Sequence, residues 1–254
     1  MRLDGKVGIV TGANQGIGRA IALRWAEEGA AVVCGDIKEE CRTHEEIEAK
    51  GGRAITVIMD VRRAEDWSRL VDATVERYGT VDLLANVAGV VNLLSPDTVV
   101  GLTEEAWDDV LGTDLKAVWM GMRAVIPTMQ RNGGGRIVNI SSLAALRGLP
   151  NLASYSAAKG GVIGLTQQAA FEYAPDNILI NAIAPGTIDT PILADITDEM
   201  RAANSRAHII NRLGKPEEVA AMATYLCTED AAFLTGVTYP VDGGWSVKGN
   251  YSPR

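Results

Sequence analysis

Lys6-Val-Gly-Ile-Val-Thr-Gly-Ala-Asn-Gln-Gly-Ile-Gly18 joins a short apolar run to a glycine turn and the start of a helix. Lys6 to Thr11 is too apolar for a half-solvated strand and reads as a buried strand of a parallel sheet. Beyond the turn, Ile17, Ile21 and Trp25 recur every four residues and mark the inward face of a helix. Gly12, Gly16 and Gly18 let the backbone bend sharply and approach a pyrophosphate at that helix's N-terminus, where unpaired N–H groups favour an anion. The spacing is Gly-x-x-x-Gly-x-Gly, not the commoner G-x-G-x-x-G dinucleotide fingerprint. A plain strand–helix loop is therefore the alternative that the rest of the chain has to answer.

The alternation continues outward. Ala30 to Gly35 reads as a second strand ending on Asp36, and a charged helix through Glu48 stops at Gly51-Gly52. A third strand, Ala54 to Met59, closes on Asp60-Val61 and precedes a helix from Ala64 to Tyr78. Val81 to Ala85 is the fourth strand and ends in Asn86-Val-Ala-Gly89. A long helical pattern then spans Glu104 to about Gln130, with Pro127 expected to kink it or mark its last turn. Arg136 to Ile140, Ile178 to Ile183 and Val237 to Val241 complete the strands. Between them lie helices from near Leu152 to Pro175 and from Pro216 to Cys227. Strands and helices in strict alternation predict an α/β fold: a single-domain, doubly wound, Rossmann-type parallel sheet of about seven strands with helices on both faces. No linker, repeat or low-complexity run divides residues 1–254.

Composition narrows the function. The 254 residues are 47% hydrophobic and 22% charged, enough apolar material for a sizeable core. A net charge of −8 with scattered Lys and Arg argues against a nucleic-acid surface, and no apolar run reaches membrane-span length. The start, Met1 to Val7, leads directly into a strand pattern without a leader signature. Cys34, Cys41 and Cys227 are odd in number and share no C-x-x-C spacing, so free thiols in a reducing, cytoplasmic compartment are expected. Only His44 and His208 are present, which discourages a zinc site and leaves acid–base work to another residue type.

Two further features carry chemistry. Asp36, at the end of the second strand, places a carboxylate where it would accept hydrogen bonds from both ribose hydroxyls of an adenosine and repel a 2′-phosphate. NAD is thereby favoured over NADP, although Lys38 is close. In Ser142 to Lys159, a hydroxyl at Ser142 precedes a phenol at Tyr155 and an ammonium at Lys159. A helix beginning near Leu152 sets Tyr155 and Lys159 one turn apart on a shared face. The lysine is expected to favour phenolate. Bringing a tyrosine pKa to neutrality takes roughly 4 kcal/mol, of which one charge at about 5 Å supplies roughly 3 kcal/mol at an effective dielectric near 20. Alone, a Tyr-x-x-x-Lys pair is an ordinary surface feature; its setting gives it meaning.

Thr11-Gly12-x-x-x-Gly16-Ile17-Gly18, Asp60-Val61, Asn86-Val-Ala-Gly89, Ser142, Tyr155-x-x-x-Lys159, Pro185-Gly186 and Asp242-Gly243-Gly244 together resemble the short-chain dehydrogenase/reductase family, in its order and from Lys6 to Gly244. The resemblance implies that Tyr155 exchanges a proton with the substrate oxygen, that Lys159 holds the nicotinamide ribose and depresses the phenol pKa, and that Ser142 hydrogen-bonds the substrate. It implies a dinucleotide held by Gly12, Asn14, Gln15, Gly16, Ile17, Gly18 and Asp36. Asp60 and Val61 would meet the adenine; Asn86, Ala88 and Gly89 the riboses; Pro185, Gly186, Ile188 and Thr190 the nicotinamide end. The family commonly forms tetramers, so a homotetramer is implied, with small residues Ala157, Ala158, Gly160 and Gly161 suited to close helix packing.

Two positions depart from the family pattern. Val87 replaces the second asparagine of Asn-Asn-Ala-Gly, and Asp114 stands where the family carries a catalytic asparagine. The latter's main-chain carbonyl survives the change, so Asp114 is expected to be tolerated, although a carboxylate cannot donate as an amide does. Leu93, Leu94, Val99, Val100, Leu143, Leu146, Leu149, Ile192, Leu193, Ile196 and Met200 flank the site in sequence. They suggest an apolar or cyclic alcohol or ketone under a lid at about 190–214, with Arg147 the one nearby cation. The expected activity is an NAD-dependent alcohol dehydrogenase or carbonyl reductase. The alternatives are an NADPH-dependent 3-oxoacyl-type reductase and a non-catalytic NAD-binding regulatory protein.

Overall fold

A computed structural model describes residues 1–92 and 96–249. Leu93 and Leu94, expected beside the substrate, lie outside the described residues. The strands are β1 (Val7–Thr11), β2 (Ala31–Asp36), β3 (Arg53–Ile58), β4 (Leu83–Asn86), β5 (Gly135–Ile140), β6 (Ile178–Pro185) and β7 (Thr238–Val241). All pair in parallel, in the order β3-β2-β1-β4-β5-β6-β7. Every residue of β1, β2, β4, β5 and β6 is buried, which is why apolar residues dominate these strands.

Helices cover both faces. On one lie α1 (Gly16–Glu27) and, at the chain's end, α8 (Pro216–Leu226), with Ile21, Trp25, Val219 and Ala223 in a shared core. On the other, α3 (Ala64–Tyr78), α5 (Ala117–Arg131) and α6 (Ala153–Tyr173) bury Trp67, Leu70, Val118, Met122 and Val162. Short α2 (Thr43–Ala49), α4 (Glu104–Leu111) and α7 (Asp198–Ala207) complete the set. Gly8 shows why the sheet tolerates no extra atom: a Cβ there would sit 2.6 Å from the Trp25 ring.

The strand order, and not the strand direction, reverses at β1, whose neighbours in the sheet are β2 on one side and β4 on the other. At such a switch point the loops leave on opposite sides and open a crevice beyond the strand ends. The helix expected from Glu104 to about Gln130 is not continuous. Between α4 and α5, Gly112–Lys116 forms a π-helical turn, and Pro127 sits in the final part of α5. Gly112 is a weak helix former at the start of that turn, and such widened turns concentrate at functional sites.

Candidate active site

The crevice at the β1–β4 switch is a cavity of about 1200 Å³. Its base is the glycine turn. Gly12 adopts φ +66°, and a Cβ there would lie 3.0 Å from the Ala88 backbone; a Cβ on Gly18 would lie 2.2 Å from the Gly12 carbonyl oxygen. Thr11 fastens this turn to β4, its Oγ1 accepting from the Val87 and Ala88 amides at 3.0 and 3.2 Å. Gln15 at the N-cap of α1 makes no side-chain cap, and no acidic residue occupies the first turn. The helix therefore meets the cavity with unmatched N–H groups, as an anion requires.

Asp36 lies on the same wall with its carboxylate already fixed. Oδ2 accepts from the Asn14 amide at 2.9 Å and Oδ1 from the Lys38 amide at 3.0 Å. Lys38 also lines the cavity. Asp60 and Val61 line the next stretch, where Arg62 bridges Asp60 and Asp109. The Arg62 guanidinium beside Asp60 holds that carboxyl below the usual range. Ala88, Gly89, Pro185, Gly186, Ile188 and Thr190 line the far end. Asn86 is the exception: its amide is buried in the sheet and donates to Asn139 Oδ1 at 2.8 Å, so its side chain serves the core and not the cavity wall. A tight glycine cradle, an uncapped helix end and an anchored carboxylate together fit a dinucleotide.

Ser142, Tyr155, Lys159 and Asp114 meet in this cavity. Ser142 ends the segment after β5, and its Oγ accepts from the Ala144 amide at 3.1 Å, which fixes the hydroxyl and leaves its proton free to donate. It lies within hydrogen-bonding reach of the Tyr155 phenol. Lys159, one turn along α6, holds Nζ 5.5 Å from the Tyr155 ring centroid and donates to the Ile140 carbonyl at 3.0 Å. Ser141 Oγ donates to the Lys159 carbonyl at 2.8 Å, tying α6 to the end of β5.

The π-turn brings in Asp114, which is fully buried. Its Oδ1 accepts from the Val90 amide at 2.8 Å, and its Oδ2 stands 3.1 Å from Lys159 Nζ. Burial acts to lower the Lys159 pKa, but Asp114 and Tyr155 beside it outweigh burial and raise it, so the amine stays charged. Lys159 acts on the phenol in the expected direction, toward a lower pKa, but it does not prevail in the protein as it stands. Burial and the Asp114 carboxylate raise the Tyr155 pKa more than Lys159 and Ser142 lower it. The ammonium is not an isolated charge here, because the Asp114 carboxylate accompanies it.

Helix α6 is capped from a distance. Its own N-cap residue, Leu152, offers no side chain for the task. Asp97, 57 residues before Ser154, accepts from the Ser154 amide at 2.9 Å and from its hydroxyl at 2.8 Å, and the Asp97 carbonyl accepts from the Ala153 amide at 3.0 Å. Asp97→Ala is expected to cost about 2 kcal/mol of stability, from a lost cap and orphaned buried donors. Urea unfolding reads this directly, and Asp97→Asn should recover part of it. Equal midpoints for wild type and Asp97→Ala would show that the cap contributes nothing.

The substrate side is mainly apolar. Leu143, Leu149, Ile192, Leu193, Ile196 and Met200 line the cavity, as their sequence positions suggested. Leu146, Val99 and Val100 do not; all three are exposed, the valines by more than nine-tenths. Arg147 is spent on the Trp245 carbonyl at 2.5 Å. Trp245 itself lines the cavity and packs edge-on to His208 with ring centroids 5.0 Å apart. Neither residue was legible as part of the site, because each reaches it only through tertiary contact. His208 Nε2 accepts from the Thr187 amide at 3.2 Å, Nδ1 pairs with the Asn204 carbonyl at 2.8 Å, and Asn204 Oδ1 accepts from the Thr187 hydroxyl at 2.9 Å.

A family model described as enoyl-(acyl carrier protein) reductase matches residues 12–246. The chain belongs to the short-chain dehydrogenase/reductase family. A 3-oxoacyl-(acyl-carrier-protein) reductase of Thermotoga maritima is 38% identical over 246 residues, 96% of this chain and 99% of the relative. A 2,5-dichloro-2,5-cyclohexadiene-1,4-diol dehydrogenase of Sphingobium indicum is 37% identical over 248 residues, 97% and 98% of the two chains. A cyclohexanol dehydrogenase of an Acinetobacter species is 39% identical over 249 residues, 97% of each. This short-chain dehydrogenase/reductase is thus an oxidoreductase built for a nicotinamide cofactor, NAD or NADP, and a small-molecule substrate. Among the described residues, no helix is long and apolar enough to cross a membrane. Cys34, Cys41 and Cys227 are all free and buried.

Proposed function

We propose that this chain is an NAD(H)-dependent oxidoreductase interconverting a secondary alcohol and a ketone, with an apolar, cyclic substrate. The observation that carries the reading is the junction inside one cavity of an anchored Asp36, the Ser142–Tyr155–Lys159 group and an apolar wall. When bound, the nicotinamide supplies or accepts the hydride at the substrate carbon. In reduction, Ser142 donates a hydrogen bond to the carbonyl oxygen and Tyr155 transfers its hydroxyl proton there, giving the alcohol. In oxidation the alcohol proton returns to Tyr155 as hydride leaves its carbon. Lys159 holds the nicotinamide ribose. Asp36 takes the adenosine ribose hydroxyls and disfavours a 2′-phosphate. Positioning and a tuned proton site are the protein's contribution.

Residues 1–254 act as one catalytic domain, with 190–214 as the substrate lid, in a cytoplasmic homotetramer. Supporting the assembly, Gly160 on α6 has open space where a Cβ would point, so a second copy can approach closely there. The cyclic preference draws on the names of the two relatives that act on six-membered rings. A second reading, an NADPH-dependent 3-oxoacyl-type reductase, is favoured by Lys38 on the cavity wall and by the Thermotoga relative. Steady-state assays with NADH and NADPH against cyclic ketones and 3-oxoacyl thioesters separate the two. Cyclic ketones with NADH are expected to give the higher kcat/KM; a tenfold preference for NADPH and thioesters would install the second reading.

A further inference from the structure

Within the proton-transfer site just proposed, one buried acidic group has no assigned task. Asp114 is enclosed on every side: Val90 from the segment after β4, and Lys159 and Tyr155 from α6, with Asp109 on α4 the nearest other charge. The room for it is built in. A Cβ on Gly89 would lie 2.8 Å from Asp114 Oδ2 and 3.4 Å from Lys159 Nζ. The π-turn aims the side chain, and one of its oxygens is held by an amide while the other faces the ammonium. Oδ2 and Nζ form an ion pair at 3.1 Å with both groups buried.

We propose that Asp114 is a positioning and tuning residue which, by ion-pairing with Lys159, screens the lysine charge from Tyr155 and biases the site toward proton donation to a ketone. An ammonium and a carboxylate 3.1 Å apart present a dipole to the phenol. A dipole's field falls off faster than that of a lone charge, so the phenolate loses most of the stabilisation that Lys159 would give it. Tyr155 then keeps its proton to higher pH, which suits an acid and hinders a base. Burial pushes the Tyr155 phenol upward and the Asp114 carboxylate adds to that push, in keeping with this geometry. The inference depends on Tyr155 being the proton donor, and the experiment distinguishes failure of that reading from failure of this one.

The experiment is a pH titration of tyrosinate ultraviolet absorbance in the cofactor-free protein. The Tyr155 contribution is isolated by subtracting Tyr155→Phe in the same background. Asp114→Asn keeps an acceptor for the Val90 amide while removing the charge, and Asp114→Ser does the same with a smaller group; circular dichroism checks folding of both. In each variant the Tyr155 titration is expected to move down by about one pH unit, equivalent to a roughly tenfold gain in alcohol oxidation at neutral pH. The rising limb of kcat/KM for oxidation should shift by the same amount, and the falling limb for reduction should follow it down. An unchanged or upward-moving titration in both variants would overturn the proposal, whatever the activity. Full activity of Tyr155→Phe would instead remove the proton-donor reading on which it stands.

Discussion

Tyr155→Phe is expected to lower kcat for ketone reduction by about 10²- to 10⁴-fold, the range contributed by a positioned acid or base. Phenylalanine keeps the ring that packs beneath Lys159 and removes only the hydroxyl beside Ser142. The fold and the glycine cradle are far enough from that atom to be unaffected, so NADH affinity should stay within a few-fold. The loss therefore falls on kcat with little change in dinucleotide Kd, the signature of an interaction used in the transition state. Stopped-flow reduction with saturating NADH, together with fluorescence titration of NADH, measures both quantities. Comparable turnover in the two proteins would assign the proton to another group, with Ser142 the first to test.

Gly18→Ala is expected to damage binding instead of chemistry. The added methyl would lie 2.2 Å from the Gly12 carbonyl oxygen and 2.7 Å from its carbon, both backbone atoms of the turn that carries the cradle. Neither can rotate away as a side-chain tip could. Thr11 pins the same turn to β4 through two amide hydrogen bonds, so α1 has to shift relative to the sheet. Overpacking of this kind costs about 1–3 kcal/mol. If about 2 kcal/mol falls on the bound state, NADH binding weakens roughly 30-fold. Titration of NADH fluorescence reads it, and kcat at saturating cofactor should recover most of its wild-type value. A Kd within threefold of wild type would mean that the turn does not hold the dinucleotide.

These two residues mark the limits of what the sequence disclosed. Gly18 and Tyr155 were legible because their meaning is local. A glycine between an apolar run and an amphipathic helix announces a turn, and a phenol four residues before a lysine announces a shared helix face. The succession of strands and helices along the chain followed from alternation alone, with strand ends shifting by a residue or two. The π-turn at Gly112–Lys116 was illegible because its residues satisfy an α-helical pattern equally well; the interruption arises where α4 and the turn itself pack over α6. Asp97, His208 and the pairing of Asp114 with Lys159 were hidden for a related reason, although the position of Asp114 itself was legible. Each acts on a residue from another element, and no periodicity in a single chain segment reports such a meeting. At Asn86 the motif did not reveal where the side chain goes: it donates to the buried Asn139 side chain within the sheet.

The His208 imidazole has a mechanical consequence. It sits just past the end of α7 and grips the Thr187 amide, two residues beyond Pro185, while Asn204 on the same helix grips the Thr187 hydroxyl. Two rivets on one residue leave α7 no way to swing outward unless it either carries the turn after β6 along or shears both bonds. Exit of product past that helix and slackening of the adjoining nicotinamide seat would then share a single hinge, making departure from the two halves of the crevice one event.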